Sequence, residues 1–333
     1  MKKIFLLSLA SFYLLTVAAQ SAGDYRSVGS GSWSDPLKWE RFNGSTWISP
    51  APSGPSYVDG LITVRSGHTI AIDNSVTLDQ TIVEAGSTIS LTSTLSIANG
   101  VGDDIIVGGI FTFISGQIGG AGTMNVTGSM DWRSGFVSSN IIMAAGSHSS
   151  KSTSGVATIS GNGSLNNNGE LIWSDGNFSM QDGTFNNNAT GQLIATGNNS
   201  LGGVAGSVVF NNAGSFTKQT GTGITTLTTG GTNTGSINVN EGTISSTSNY
   251  ENSGSINIAA GKTFLINGGT FKLNNGTNIT GQGNFQHVAG NLGITADAAT
   301  PANVSNFLFT SGVVGGAGTL LVNGGMDWRS GSC

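Results

Sequence analysis

The chain contains a single cysteine, Cys333, at its last position. That rules out a disulfide framework and a cysteine-based metal site. Charge is scarce as well: 9 % of residues are Asp, Glu, Lys or Arg, and no run of like charge occurs. The formal net charge is −5; if Lys2 and Lys3 leave with a leader, 10 basic residues face 17 acidic ones and it becomes −7. Such a balance argues against nucleic-acid binding through a basic face. Proline is absent from Ser56 to Thr300, because Pro36, Pro50, Pro52 and Pro55 account for four of the five. A strand ladder needs the N–H that proline lacks, so this long tract is free to pair as β-structure. Beyond the first twenty residues no stretch places apolar residues at helical spacing for two turns, and none approaches membrane-spanning length.

What is present is Gly, Ser, Thr and Asn, with 53 glycines. Polar low-complexity tracts of this kind can be disordered. Here 37 % of residues are hydrophobic and regularly spaced, which favours a packed fold. Residues 1–19 have a different character. Lys2 and Lys3, the apolar run Ile4 to Val17 and the small residues Ala18 and Ala19 have the order of a signal peptide, so the mature chain is expected to start at Gln20. Residues 20–55 hold Trp33, Trp39 and Trp47 together with four prolines, and are expected to form an N-terminal cap.

From residue 56 onward, alternation takes over. Ile62 and Val64, Ile70 and Ile72, Ile89 and Leu91, Phe111 and Phe113, Ile237 and Val239, and Ile256 and Ile258 are each separated by one residue. Period two sends one set inward and the other to solvent. A longer period is superimposed. Asn212-Ala213-Gly214-Ser215-Phe216 returns as Asn233-Thr234-Gly235-Ser236-Ile237 and as Asn252-Ser253-Gly254-Ser255-Ile256. Gly163 to Asn168 returns as Gly183 to Asn188, and the segment from Gly122 to Gly135 matches Gly163 to Gly176 at twice that spacing. The longest echo joins Phe111–Gly135 to Phe307–Gly331, with 17 of 25 positions identical at an offset of 196 residues.

A period near 20 with two or three short strands and no helix predicts an all-β fold, a right-handed parallel β-helix over residues 56–333. Like residues then stack at the inter-strand spacing, and asparagines can hydrogen-bond up a ladder. One turn burying roughly five apolar side chains gains roughly 1.5–3 kcal/mol for each. Ordering its backbone costs on the order of 1–2 kcal/mol per residue, so a turn holds only by sharing contacts with its neighbours. The competing fold is an array of β-sandwiches, which needs units of roughly 80–100 residues and leaves the short period unexplained.

Gly29 to Trp39 (GSGSWSDPLKW), Val58 to Asp73 (VDGLITVRSGHTIAID) and Thr94 to Gly109 (TLSIANGVGDDIIVGG) resemble the opening of large secreted repeat proteins of Bacteroidetes-type bacteria, with a G8-like N-terminal region followed by adhesin-type β-helix turns. The resemblance implies export, display on the cell surface or release, and a role in adhesion or matrix binding. It implies no catalytic motif. Because the sequence stops just after a second Asp-Trp-Arg-Ser-Gly, it is expected to be truncated at its C-terminus.

Few residues offer chemistry. His68, His148 and His287 stand in unrelated contexts, so no zinc site is expected. Gly119-Gly120-Ala121-Gly122 begins like a calcium-binding nonapeptide, but Met124 occupies the carboxylate position, and the glycines are expected to form a tight corner. Asp103 and Asp104 are adjacent; neighbours on a strand point to opposite faces, so a turn is expected there. Asp131-Trp132-Arg133 and Asp327-Trp328-Arg329 are the most distinctive polar features and the candidate glycan-binding residues. An outward Trp would offer a platform for a sugar ring. An inward Trp would leave Asp and Arg as a solvated pair worth about 0–1 kcal/mol. Ile172-Trp173-Ser174 keeps the Trp and drops the pair, which favours the core position.

The expectation is an exported, adhesin-like structural or binding protein of the cell surface or extracellular matrix. It is expected to be monomeric and non-catalytic, without cofactor or metal, and to bind extracellular polysaccharide or a host or matrix surface. The alternative is a carbohydrate-active β-helix enzyme, a lyase or hydrolase, since the fold hosts both.

Overall fold

In the computed structural model the alternating segments form short strands, most of three or four residues, separated by glycine- and asparagine-rich corners. The structure describes residues 20–332, so the expected leader at residues 1–19 and the lone Cys333 lie outside them. Among the described residues the only helical element is a 3-10 turn, Pro36–Lys38.

The strands wind into a parallel β-solenoid of about 13 turns with about 21 residues per turn. Each turn has three faces. The first full turn is Ile62–Val64, Thr69–Ile72 and Val76–Leu78; these pair in parallel with Thr81–Val83, Thr88–Leu91 and Thr94–Ile97 of the next. The second face forms its own 14-stranded sheet. The first and third merge into one of 27 strands, because Thr263–Leu273 and Asn284–Ile294 run unbroken round the corner between them. Register follows the sequence repeats. Phe216 lies opposite Ile237, and Ile237 opposite Ile256, all fully buried. No antiparallel hairpin closes a separate sandwich among these turns.

The asparagine triplets at 166–168 and 186–188 split three ways. Asn166 and Asn186 point outward, and Asn186 donates to Asn166 at 2.9 Å. Asn168 accepts from Asn188 at 3.0 Å at the corner. Asn167 and Asn187 turn inward and are fully buried. They start a ladder in which each amide N–H donates to the next amide oxygen: Asn167 to Asn187 at 2.8 Å, Asn187 to Asn212 at 2.7 Å, Asn212 to Asn233 at 2.7 Å and Asn233 to Asn252 at 2.6 Å. It ends on Thr277 at 3.2 Å. Sequence separations along it run from 19 to 25, because the corner loops absorb insertions while the strands stay in register. The glycine after each inward asparagine is a matter of close approach. A Cβ on Gly214, Gly235 or Gly254 would stand 2.2, 2.1 or 2.2 Å from the carbonyl oxygen of the glycine one turn below. The Asn-x-Gly-Ser motif is therefore one ladder residue and one corner residue that permits the stacking.

Residues 25–48 pair differently. Tyr25–Ser27 adds in parallel to the first full turn, and its other edge pairs antiparallel with Trp39–Phe42, which pairs antiparallel with Trp47–Ile48. The ribbon thus occupies strand-edge groups that would otherwise be open. Trp33 and the ribbon's own Trp39 are buried with ring centroids 4.9 Å apart. Their indole N–H groups donate to the carbonyls of Pro55 and Trp33, each at 2.8 Å.

The long echo does not land on one face. Phe111 belongs to Ile110–Phe113 in the 14-stranded sheet, whereas Phe307 belongs to Phe307–Phe309 in the 27-stranded one. An offset of 196 residues is about nine and one third turns of about 21, so the second copy is carried one face further round. Local stacking survives the shift: Phe111 and Phe113 lie opposite Met130 and Trp132, as Phe307 and Phe309 lie opposite Met326 and Trp328.

The stack makes Ile237→Asp and Asn238→Asp sharply unequal. The first places a carboxylate in the core and is expected to cost more than about 3 kcal/mol. The second faces solvent and is expected to stay within about 0.5 kcal/mol. Thermal melts followed by circular dichroism check this; similar losses for both would be incompatible with the stacked core.

Candidate functional site

The strand Ser129–Trp132 buries Met130 and Trp132 and turns Asp131 outward. Trp132 is 1 % exposed and stacks on Phe113 with centroids 5.8 Å apart, so it belongs to the core and offers no platform to a sugar. Arg133 Nε donates to Asp131 Oδ2 at 2.7 Å on the outer surface. The other oxygen, Asp131 Oδ1, accepts from Ser150 at 3.2 Å and Ser152 at 3.1 Å in the next turn. In the second copy Asp327 and Arg329 pair at 3.0 Å. Trp328 there is 41 % exposed and packs edge-on against Phe309 at 4.4 Å. The structure does not bring the two Asp-Trp-Arg segments together, because they lie on different faces many turns apart.

Trp132 and Trp173 occupy one inward column, two turns apart. Between them stands Lys151, opposite Trp173, while its neighbour Ser150 lies opposite Asp131. Lys151 is fully buried, and so is Lys218 further along the same column. Both ammonium groups reach the corner after the second face. Lys151 Nζ donates to the carbonyls of Thr153 and, at 3.0 Å, Asp175. Lys218 Nζ donates to the Gly197 carbonyl at 2.9 Å, Asn198 Oδ1 at 3.1 Å and Thr225 Oγ1 at 3.0 Å. Burial lowers both pKa values. Sequence reading missed this pair; the signal was a lysine at the inward phase of an alternating strand, as in Ser215–Lys218.

The three histidines are as unrelated in space as in sequence. His68 Nδ1 lies 2.7 Å from Ser27 Oγ, and His148 Nδ1 lies 3.1 Å from Glu170. His287 is fully buried, stacked on Phe309 at 5.3 Å, and neither ring nitrogen has a hydrogen-bond partner among the described residues. Asp104 is buried and braces a corner, accepting from Gly100 N at 3.0 Å and Thr123 N at 2.7 Å, while Asp103 is exposed. Asp79 reaches Asp104 from the previous turn. Burial, together with the Asp104 carboxylate, raises its pKa. Gly120 and Gly122 make the expected corner: a Cβ on either would fall 2.2 or 2.4 Å from the Ile97 or Ala98 carbonyl oxygen. Among the described residues no three His, Cys, Asp or Glu side chains are grouped to hold a metal ion.

Charge gathers in one place despite its overall scarcity. A cleft of about 540 Å³ opens between the antiparallel ribbon and the first two turns, lined by Arg26, Trp47, Arg65, Gln80 and Glu84 among others. Arg26 pairs with Glu40 and lies over the Trp47 ring at 4.0 Å, and Arg65 lies 3.8 Å from Glu40. Its walls carry charged groups of both signs. Comparison with family models, curated proteins and solved structures returned no match.

His287 gives a pH dependence of definite sign. Burial holds its pKa below the ordinary 6.5, so the unfolded chain binds the proton more tightly than the folded one. Its contribution is complete above about pH 6.5 and is lost as pH falls from there through the lowered value. The melting temperature is expected to drop between pH 7.5 and pH 5, and His287→Phe is expected to lessen that drop while keeping the stack on Phe309. An identical pH profile for the variant would show that His287 is not the titrating group.

Proposed function

We propose that this chain is an exported, adhesin-like structural and binding protein of the bacterial cell surface or extracellular matrix. Its partner is extracellular polysaccharide or a matrix or host surface. The observation that carries the reading is the stack itself. About 13 turns at about 4.8 Å make a rod of about 60 Å. Interlocked asparagine and aromatic columns stiffen it, and it offers flat strand faces of repeating polar side chains. Such a surface suits many weak, periodic contacts with a polymer. The leader-like residues 1–19 and the resemblance to secreted repeat proteins with a G8-like N-terminal region agree with this reading. Among the described residues no helix is long and apolar enough to cross a membrane.

A second reading, a carbohydrate-active enzyme, is favoured by the meeting of Asp79 and Asp104, since paired carboxyl groups perform glycoside hydrolysis. It stays second because both oxygens of Asp104 already accept backbone N–H groups.

Purified chain spanning residues 20–333 is expected to bind immobilised extracellular matrix and to release no reducing ends from polysaccharides. Matrix retention and reducing-sugar assays check this together. Product release abolished by Asp79→Asn would reverse the order of the two readings, and failure to bind any matrix would remove the first.

A further inference from the structure

The outer surfaces of the first and second faces carry similar residues in different states. On the first face the amides satisfy one another. Asn166 donates to Asn140 at 2.8 Å, Asn186 to Asn166 at 2.9 Å and Asn211 to Asn186 at 3.0 Å. On the second face, four successive turns carry outward Thr217, Asn238, Asn257 and Thr280 in direct register. A parallel column runs beside them from Ser215 to Asn278. Contacts within this tract are longer. Ser215 meets Thr217 at 3.3 Å, Asn238 meets Thr217 at 3.3 Å and Thr280 meets Asn257 at 3.5 Å. Its amides and hydroxyls therefore keep donors and acceptors open to a ligand.

We propose that this tract binds a neutral, extended polysaccharide; the proposal rests on the surface-binding reading above and names its ligand class. Three features select the occupant. The tract presents no charged side chain, so a carboxylated or sulfated polymer would find no counter-charge there. It presents no exposed aromatic or arginine of the kind that anchors protein partners. Just below it the same column carries Ile172 and Ile194, directly opposite one another on the outer surface, and Ile172 is 37 % exposed. A pyranose chain has both kinds of surface, C–H faces for the isoleucine ledge and hydroxyls that donate and accept along the open rows. The rows recur at the inter-strand spacing, so successive sugar units meet equivalent groups and weak bonds add along the chain.

Affinity gel electrophoresis tests this with hydroxyethylcellulose, mannan and dextran as neutral probes and alginate and hyaluronate as acidic ones. Wild-type chain is expected to be retarded by at least one neutral polymer. The double variants N238A/N257A and N238D/N257D are expected to weaken that retardation at least about tenfold, with melting curves reporting an intact fold. Arg65→Ala in the ribbon cleft and Asp131→Asn are expected to leave it unchanged. Unchanged retardation of both double variants, or its loss in Arg65→Ala instead, would overturn the tract yet leave polysaccharide binding standing. Retardation by acidic polymers alone would overturn the ligand class, and no retardation in any gel would overturn the proposal outright. Retention on whole matrix would then still support the broader reading.

Discussion

Every part of this fold depends on one constraint: each residue sits directly above a counterpart in the turn below, at the hydrogen-bonding distance of a parallel sheet. Anything placed at an inward position must pack against something of compatible shape on both sides. Isoleucine over isoleucine at 237 and 256 meets that condition, and so does Phe185 under Phe210, whose ring centroids lie 5.3 Å apart. Buried asparagine meets it another way. An amide has a donor at one end and an acceptor at the other, so a column of them is satisfied internally except at its ends. The free end is visible here: Asn167 Oδ1 is buried without a partner among the described residues.

The same constraint explains how a charge-poor protein tolerates polar groups in its core. Lys151 and Lys218 keep their stems in an inward column and extend their ammonium groups to corner carbonyls, so burial of the charge is offset by two or three hydrogen bonds. His287 has no such route; it lies between Ile266 and Phe309 in the stack, and burial lowers its pKa. Both solutions use the corner geometry or the stack above and below. Neither is available to an isolated turn.

On the outside, stacking produces two kinds of surface from one kind of sequence. Where asparagines lie directly above one another on the first face, they close a chain of amide bonds and gain stability. On the second face, where Thr217 and Thr280 flank Asn238 and Asn257, the contacts are longer, 3.3 to 3.5 Å, leaving polar groups for solvent or ligand. A residue spent on the ladder is not free to bind, so the proposed tract falls on the face whose contacts are longer.

Much of this was legible in the sequence. Period two placed Ile62, Val64, Phe111, Phe113, Ile256 and Ile258 inward, and the recurrence of Asn-x-Gly-Ser set the turn length, because both are consequences of local pleat and corner geometry. Trp173 beside a Ser where Trp132 has an Arg already indicated a core tryptophan. The match between those two segments skipped a turn because Lys151 interrupts the column. The sequence could not place the long echo, since a small excess per turn accumulates over nine turns and moves Phe307 to the next face. Nor could it bring Asp79 to Asp104, or separate saturated asparagines from open ones. Chain-local chemistry thus determined that the protein coils, where it turns and which side chains face inward. Only the assembled stack decided which distant residues meet, because that depends on the summed lengths of all the corners between them.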